Sequence, residues 1–146
     1  MVLETSSAAQ AEARLGSVFV TVYGDVGGLA SHYYPLPSED FESALLASMA
    51  SGGSFQPVAR ANDPDFLLTV GLIHMAAPHW SGRVTLETSW SVSSTATREQ
   101  LSRQAIEATA PAGFSKKREA TEAAAQMNIA EGLSWLEQVI ETYSAK

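Results

Sequence analysis

The 146-residue chain has a length at which one domain can bury a core, and 45% hydrophobic against 17% charged residues supply the apolar surface for it. Its formal net charge of −7 disfavours nucleic acid and anionic lipid as partners, because both are negatively charged. The chain has no cysteine, which excludes disulfides, thiolate metal sites and thiol nucleophiles.

The amino-terminal segment is rich in Ser, Ala and Glu and has no apolar periodicity. We therefore predict a flexible tail over residues 1–15 and a single α+β domain over residues 16–146. The segment lacks the basic-then-apolar order of a signal peptide, and no apolar run in the chain approaches the ~20 residues of a membrane span. A leader removed before Met1 would leave no trace in this sequence.

The first predicted elements are a strand and a helix. A β-branched and aromatic run predicts a strand over residues 17–23. Beyond the next loop, Ser38 is expected to cap a helix over residues 39–50, which has an acidic first turn and ends at Gly52 and Gly53. Apolar side chains then recur every fourth residue on one helix face: Phe41, Leu45 and Met49.

Three further strands are predicted in the middle of the chain. A central strand over residues 66–73 leads through a hairpin at 76–82 into a strand over 83–92, in which apolar and polar residues alternate. The segment 100–108 has features of both a helix and an edge strand. We favour the strand, because a third antiparallel partner is the simplest continuation of the sheet.

A long amphipathic helix is predicted over residues 117–143, with small residues first and bulky ones last on its apolar face. That face is expected to hold Ala120, Ala123, Met127, Ala130, Leu133, Leu136, Ile140 and Tyr143. The expected fold is an α+β sandwich, in which two helices cover one face of an antiparallel sheet of about four strands.

The sequence shows no catalytic, cofactor-binding or metal motif. The loop at residues 24–28 lacks the glycine spacing and the Lys-Ser/Thr of a phosphate-binding loop, and no serine lies in a Gly-x-Ser-x-Gly elbow. The three histidines lack zinc-site spacing. Asp63 and Asp65 flank Pro64 and are interpreted as turn residues rather than as an acid–base pair. We expect no cofactor, and a non-enzymatic role is favoured over an enzymatic one.

Eight aromatic, histidine or basic residues are candidate contacts with a ligand or a partner. His74 is in register with Leu72 and Val70 and is expected to be a partly buried residue at a strand end. The basic run 116–118 lies at a helix start, where the helix dipole is unfavourable for cations. Two interpretations remain open: the run binds an anionic ligand or an acidic partner surface, or it is a solvated turn before a helix that begins at residue 119 or 121. The candidates are Tyr33, Tyr34, His74, His79, Trp80, Lys116, Lys117 and Arg118.

The order of these elements resembles that of small bacterial cell-envelope lipoproteins. The resemblance is carried by Asp63-Pro64-Asp65-Phe66-Leu67-Leu68-Thr69-Val70 and by Gly82-Arg83-Val84-Thr85-Leu86-Glu87-Thr88-Ser89-Trp90-Ser91-Val92. It implies a fold similar to the amino-terminal domain of TolB and to the auxiliary lipoproteins of envelope transporters. It also implies a periplasmic domain that binds or helps to assemble envelope components without catalysis, tethered through a lipid on an amino-terminal cysteine that this chain lacks.

Two functions remain open from the sequence. The first is a non-enzymatic envelope binding or assembly domain whose partner is a protein or another envelope component. It would have no nucleic-acid partner, and it could self-associate through an open sheet edge. The alternative is a small-ligand-binding or enzymatic domain with a pocket between the sheet and the first helix, lined by Tyr34, His74 and Trp90. A filled core beside an exposed strand edge would favour the first function.

Overall fold

The computed structural model describes residues 15–26, 35–76, 83–111 and 116–145, except for the side chain of Lys117. The described residues contain five strands, two helices and a 3-10 turn at Arg60–Asn62. In chain order the elements are β1 (Gly16–Tyr23), α1 (Ser38–Gly52), β2 (Phe55–Pro57), β3 (Phe66–Ala76), β4 (Val84–Ser94), β5 (Gln100–Ala110) and α2 (Lys117–Ser144). Residues 1–14 of the predicted tail lie outside the described residues, whereas Leu15 packs against the core and its amide donates to the Ser54 carbonyl at 2.9 Å.

The five strands form one mixed sheet in the order β2-β1-β3-β4-β5. β1 runs parallel to both β2 and β3, whereas β4 is antiparallel to its two neighbours, β3 and β5. The expectation of about four antiparallel strands was therefore wrong in strand number and in the direction of β1. The physical reason is that α1 carries the chain back along the sheet before β2, and the segment 58–65 does so again before β3, so both strands run in the same direction as β1, whereas β4 runs the opposite way. β5 confirms the strand interpretation of residues 100–108.

Both helices cover the same face of the sheet, and Trp90 of β4 lies between them. Its side chain is fully buried. Its ring makes edge-on contacts with Phe41 of α1 and with Trp135 of α2, each at a centroid distance of 6.4 Å. Leu136 of α2 is also fully buried, as the predicted sheet–helix packing requires. The buried apolar residues of both helices and of the sheet belong to one core.

Different hydrogen bonds stabilise the two ends of α1. The backbone amide of Ser38 donates to Oδ1 of Asp25 at 2.8 Å, so a carboxylate from the preceding loop binds the first amides of the helix. Ser38 is the first helical residue and Pro37 is the N-cap, so the prediction of a Ser38 cap was wrong. At the other end Gly53 has a φ of 78°, and its amide donates to the Met49 carbonyl at 3.3 Å, as expected of a glycine stop.

The buried face of α2 differs from the predicted one in its first half. Met127 is 42% exposed and Ala130 is exposed, whereas Asn128, Ile129 and Gly132 are buried. The apolar spacing failed there because two of the inward positions carry an amide and a glycine, which a hydrophobic pattern does not register. The second half follows the prediction, with Leu136 and Ile140 inside. Among the described helices, neither has the length and apolar character needed to cross a bilayer.

Candidate interaction surface

A buried polar cluster links β4 to α2 in the middle of the core. Nε1 of Trp90 donates to Thr88 Oγ1 at 2.8 Å and to Asn128 Oδ1 at 3.2 Å, and the Thr88 hydroxyl donates to the same amide oxygen at 2.7 Å. Nδ2 of Asn128 donates to the backbone carbonyls of Leu86 and Ile106, each at 3.1 Å. Because the polar atoms of this cluster form hydrogen bonds with one another and with backbone carbonyls, the cluster has a structural role in the core and does not present polar groups to a ligand.

The structure does not form the alternative pocket from the residues expected to line it. The register between β3 and β4 shifts between Leu72 and His74, which leaves Ile73 unpaired. From His74 onward, each side chain therefore points to the opposite sheet face from the one that simple alternation predicts. His74 is therefore exposed and lies opposite Glu87 on the sheet face away from the helices, not partly buried as expected. Trp90 lies on the other face, inside the core. Tyr34 lies outside the described residues.

The basic run belongs to the helix. α2 begins at Lys117, as its amphipathic spacing predicted, with Lys116 as its N-cap, so the alternative start at residue 119 or 121 was wrong. Nε of Arg118 donates to Oε1 of Glu122 at 3.1 Å, and both side chains are largely exposed. A pair of this kind, one helical turn apart, offsets part of the unfavourable charge at the helix start. Lys116 is exposed.

Four of the candidate contact residues fall outside the described residues, and the structure does not place them. They are Tyr33, Tyr34, His79 and Trp80. Of the other four, His74 lies on the outer face of the sheet, whereas Lys116, Lys117 and Arg118 lie at the start of α2. The described candidates are therefore not brought together into one site.

The aspartates around Pro64 have structural roles. Oδ2 of Asp65 accepts hydrogen bonds from the backbone amide of Ser17 at 3.0 Å and from its hydroxyl at 3.2 Å. These bonds join the start of β1 to the start of β3, forty-eight residues apart. Asp63 has a φ of 50°, a left-handed conformation that aspartate tolerates in turns. This arrangement agrees with the turn interpretation.

The most accessible surface for a partner is the free edge of β5. The strand has eleven residues and, within the described sheet, pairs only with β4. The opposite edge, β2, has three residues and ends in Pro57, whose nitrogen cannot donate a hydrogen bond. A long edge strand presents unused backbone donors and acceptors, which another chain can pair with.

Two adjoining grooves separate β5 from α2 and widen this surface. Their volumes are about 480 and 340 Å³, and both are lined by Trp135 and Gln138. Partly buried apolar side chains line the larger groove, namely Leu101, Trp135, Val139 and Tyr143. The β5 edge together with these grooves is called the edge surface below.

A second concave feature lies between α1 and the first half of α2, with a volume of about 310 Å³. Leu36, Phe41 and Ala125 provide apolar lining, and Asp40 provides a carboxylate. Thr121 also lines this cleft; its hydroxyl oxygen is buried and has no hydrogen-bond partner in the described part of the chain. In the same part of the chain no group of three or more His, Asp or Glu side chains is arranged to hold a metal ion.

Comparison with known proteins gives a likeness of fold. No family model and no curated protein matches the chain. Among solved structures, protein XCC0632 from Xanthomonas campestris, of family DUF330, is 10% identical and has a TM-score of 0.61, with 89% of this chain and 86% of that chain covered. The PelC dodecamer from Paraburkholderia phytofirmans is 14% identical with a TM-score of 0.59, and 81% and 85% are covered. Lipoprotein GNA1162 from Neisseria meningitidis is 8% identical with a TM-score of 0.46, and 89% and 99% are covered. At these identities the first two show a shared fold, and the third carries no argument.

Sequence reasoning missed the central polar cluster and the grooves beside β5. A signal for the first was present, since Asn128 is a polar residue beside Ile129 in the middle of a helix with a buried face. The grooves had no comparable signal, because they depend on how α2 packs beside β5. The edge position of β5 agrees with the edge-strand pattern of residues 100–108.

Proposed function

We propose that this chain is a non-catalytic binding or assembly domain of a bacterial cell envelope, which engages a protein partner through the edge surface. The partner adds a strand to β5 and buries the apolar lining of the grooves. Backbone hydrogen bonds along the edge supply affinity, and the groove residues supply selectivity. The periplasmic location and the lipid tether implied by the lipoprotein resemblance belong to this proposal.

The observation that carries the proposal is the combination of a filled core with a long open strand. Trp90, Leu136 and Ile140 are fully buried, and the central polar cluster is internally bonded. The apolar surface that remains accessible includes the grooves beside β5. Recognition by strand addition requires these features: an unpaired edge and adjacent pockets for side chains.

Two findings support the envelope assignment and the assembly role. The order of elements on which the lipoprotein resemblance rests is present, including the hairpin of β3 and β4 and the long carboxy-terminal helix. A protein that shares the fold, PelC, forms a dodecamer. The fold is therefore compatible with assembly of many copies.

Site-specific photocrosslinking tests the proposal. p-Benzoylphenylalanine is placed at Gln104 on β5 or, as a matched exposed control, at Ala47 on α1, in cells that produce the full natural gene product. We expect adducts from position 104, absent at position 47, with a protein of the envelope fraction or with a second copy. Equal adducts from both positions, or none from position 104, would contradict the proposed surface, and recovery of the protein outside the envelope fraction would contradict the location.

The small-ligand alternative is supported by one observation, the buried and unbonded hydroxyl of Thr121 beside the cleft between the helices. Burying an unpaired hydroxyl is unfavourable, and a bound polar molecule would satisfy it. A crosslinker at Gln126, which lines the same cleft, distinguishes the two functions. Adducts with small metabolites from position 126, without protein adducts from position 104, would favour the alternative.

A further inference from the structure

We propose that the β5 edge pairs with the β5 edge of a second copy of this chain, antiparallel and with the two-fold axis at Ala105. The two five-stranded sheets then form one continuous sheet. This inference rests on the proposed function, because it names the partner of the same edge surface. It goes beyond that function by specifying the register and the residues that select it.

The first argument comes from two charged residues on β5. Arg103 and Glu107 are exposed on the sheet face away from the helices. They are four residues apart on one strand, which separates them by about 13 Å, too far for an ion pair. In the described part of the chain neither forms a salt bridge, and the Arg103 Nε donates to the Ser89 hydroxyl at 3.3 Å. The strand therefore carries an unmatched positive and an unmatched negative group.

An antiparallel copy centred on Ala105 matches both groups at once. Arg103 of each copy lies opposite Glu107 of the other, because both residues are two positions from the axis. The symmetry produces two cross-strand ion pairs on the same face. A centre moved to Arg103 or to Glu107 would place like charges opposite each other. The charges therefore favour this register over those centred on Arg103 or Glu107, which they oppose, and over those centred on Gln104 or Ile106, in which neither ion pair forms.

The second argument comes from the neighbouring strand. Glu107 lies directly opposite Glu87 in the β4–β5 register, and both belong to the outer face. Like charges directly opposite each other destabilise a sheet. A guanidinium from a second copy, on the free side of Glu107, would reduce this repulsion. The row across the sheet would then run from His74 through both glutamates to Arg103 of the second copy.

The helix side of β5 leaves room for the added strand. Gln104 on this side is exposed, and a groove of about 340 Å³ separates β5 from Ser134 and Gln138 of α2. Ile106 is already buried against its own helix, so at the centre of β5 pairing adds mainly backbone hydrogen bonds and the two ion pairs, and the apolar contacts come from the larger groove beside residues 99–102. α2 therefore does not cover the outer side of the strand at its centre.

Cysteine crosslinking of the 146-residue chain tests the register directly, because these residues include no cysteine. In the Ala105→Cys variant the two thiols face each other across the axis at a Cα separation of about 4.5–5.5 Å, within the range of a disulfide. In the matched Thr109→Cys variant they are about 26 Å apart. We expect mild oxidation to link Ala105→Cys into a dimer at least about tenfold faster than Thr109→Cys.

Charge reversal tests the selection of the register. Multi-angle light scattering on the 146-residue chain should show a concentration-dependent dimer. Arg103→Glu should weaken it by about tenfold or more, because both ion pairs become repulsive. Arg103→Glu combined with Glu107→Arg should restore dimerisation. Arg60→Glu, on the 3-10 turn, makes the same charge change away from β5 and should leave the dimer unchanged.

The outcomes separate this inference from the proposed function. A chain that remains monomeric at all concentrations, or equal oxidation rates for the two cysteine variants, would overturn the inference. If the double charge reversal does not restore dimerisation, the proposed register is wrong. If the chain is monomeric while position 104 crosslinks to a different envelope protein, the proposed function stands without this dimer. Far-UV circular dichroism confirms that each variant is folded.

Discussion

Removal of the buried amide in Asn128→Ala should destabilise the protein more than its size suggests. The side chain is fully buried and makes four hydrogen bonds, two as donor to the carbonyls of Leu86 and Ile106 and two as acceptor from Thr88 and Trp90. The indole keeps its 2.8 Å bond to the Thr88 hydroxyl, so that donor remains satisfied. The loss therefore comes from the amide's own bonds and from the space it leaves.

The magnitude follows from these contacts. A net contribution of about 0.5–1.5 kcal/mol for each of the lost hydrogen bonds gives a decrease of about 2–6 kcal/mol in the free energy of unfolding, to which a small cavity adds. Divided by an m-value of about 2 kcal/mol/M, this lowers the urea midpoint by about 1–3 M. Equilibrium urea unfolding followed by tryptophan fluorescence measures it. The matched control is Met127→Ala, one residue earlier and 42% exposed, which should change stability by about 0.5 kcal/mol or less.

A double-mutant cycle shows whether the polar cluster acts as a unit. Thr88→Val removes the hydroxyl that donates to Asn128 Oδ1 at 2.7 Å. Its effect should depend on whether the amide is present, with a coupling energy of at least about 0.5 kcal/mol. The reasoning is refuted if Asn128→Ala costs less than about 0.5 kcal/mol, or if the effects of the two substitutions simply add.

Three other substitutions test individual features of the fold. Gly132→Ala should lower the free energy of unfolding by about 1–2 kcal/mol, although alanine favours helix, because the added β-carbon would overlap the buried indole ring of Trp90. The control Gly52→Ala has open space around the added β-carbon and should be neutral or stabilising. Equal effects of the two substitutions would contradict the close packing of Gly132 against Trp90. Asp25→Ala should lower the thermal midpoint through a loss of about 0.5–2 kcal/mol at the Ser38 amide, and Asp25→Asn, which keeps an acceptor, should lose less. Thr121→Val should raise stability by about 0.5–2 kcal/mol in urea unfolding, because it removes a buried unbonded hydroxyl, and a loss instead would indicate that this oxygen is bonded in solution.

Much of the secondary structure could be predicted from local patterns. The four apolar residues of β4 that were expected on one face, Val84, Leu86, Trp90 and Val92, are all buried, because successive side chains of a strand point to opposite faces whatever lies beside them. The glycine stop of α1 at Gly53 was correct for a similar reason, since a left-handed φ depends on one residue. These are properties of a few neighbouring residues.

The candidate site could not be predicted in the same way. His74 had the right spacing for partial burial, but a single unpaired residue, Ile73, reversed its face. The first half of α2 presents Asn128 and Gly132 to the core, because one finds hydrogen-bond partners and the other makes room for Trp90. None of these partners is close in the sequence; Thr88 and Asn128 are forty residues apart.

By itself the sequence determined that β1, β3, β4 and both helices form and that their apolar sides must be covered, since both depend on periodicity and on the removal of apolar surface from water. Only the tertiary structure decided that β1 runs parallel to its neighbours and that Glu107 lies opposite Glu87. Strand direction and register arise from the connections between elements and from pairings among distant residues. A local pattern carries no information about either.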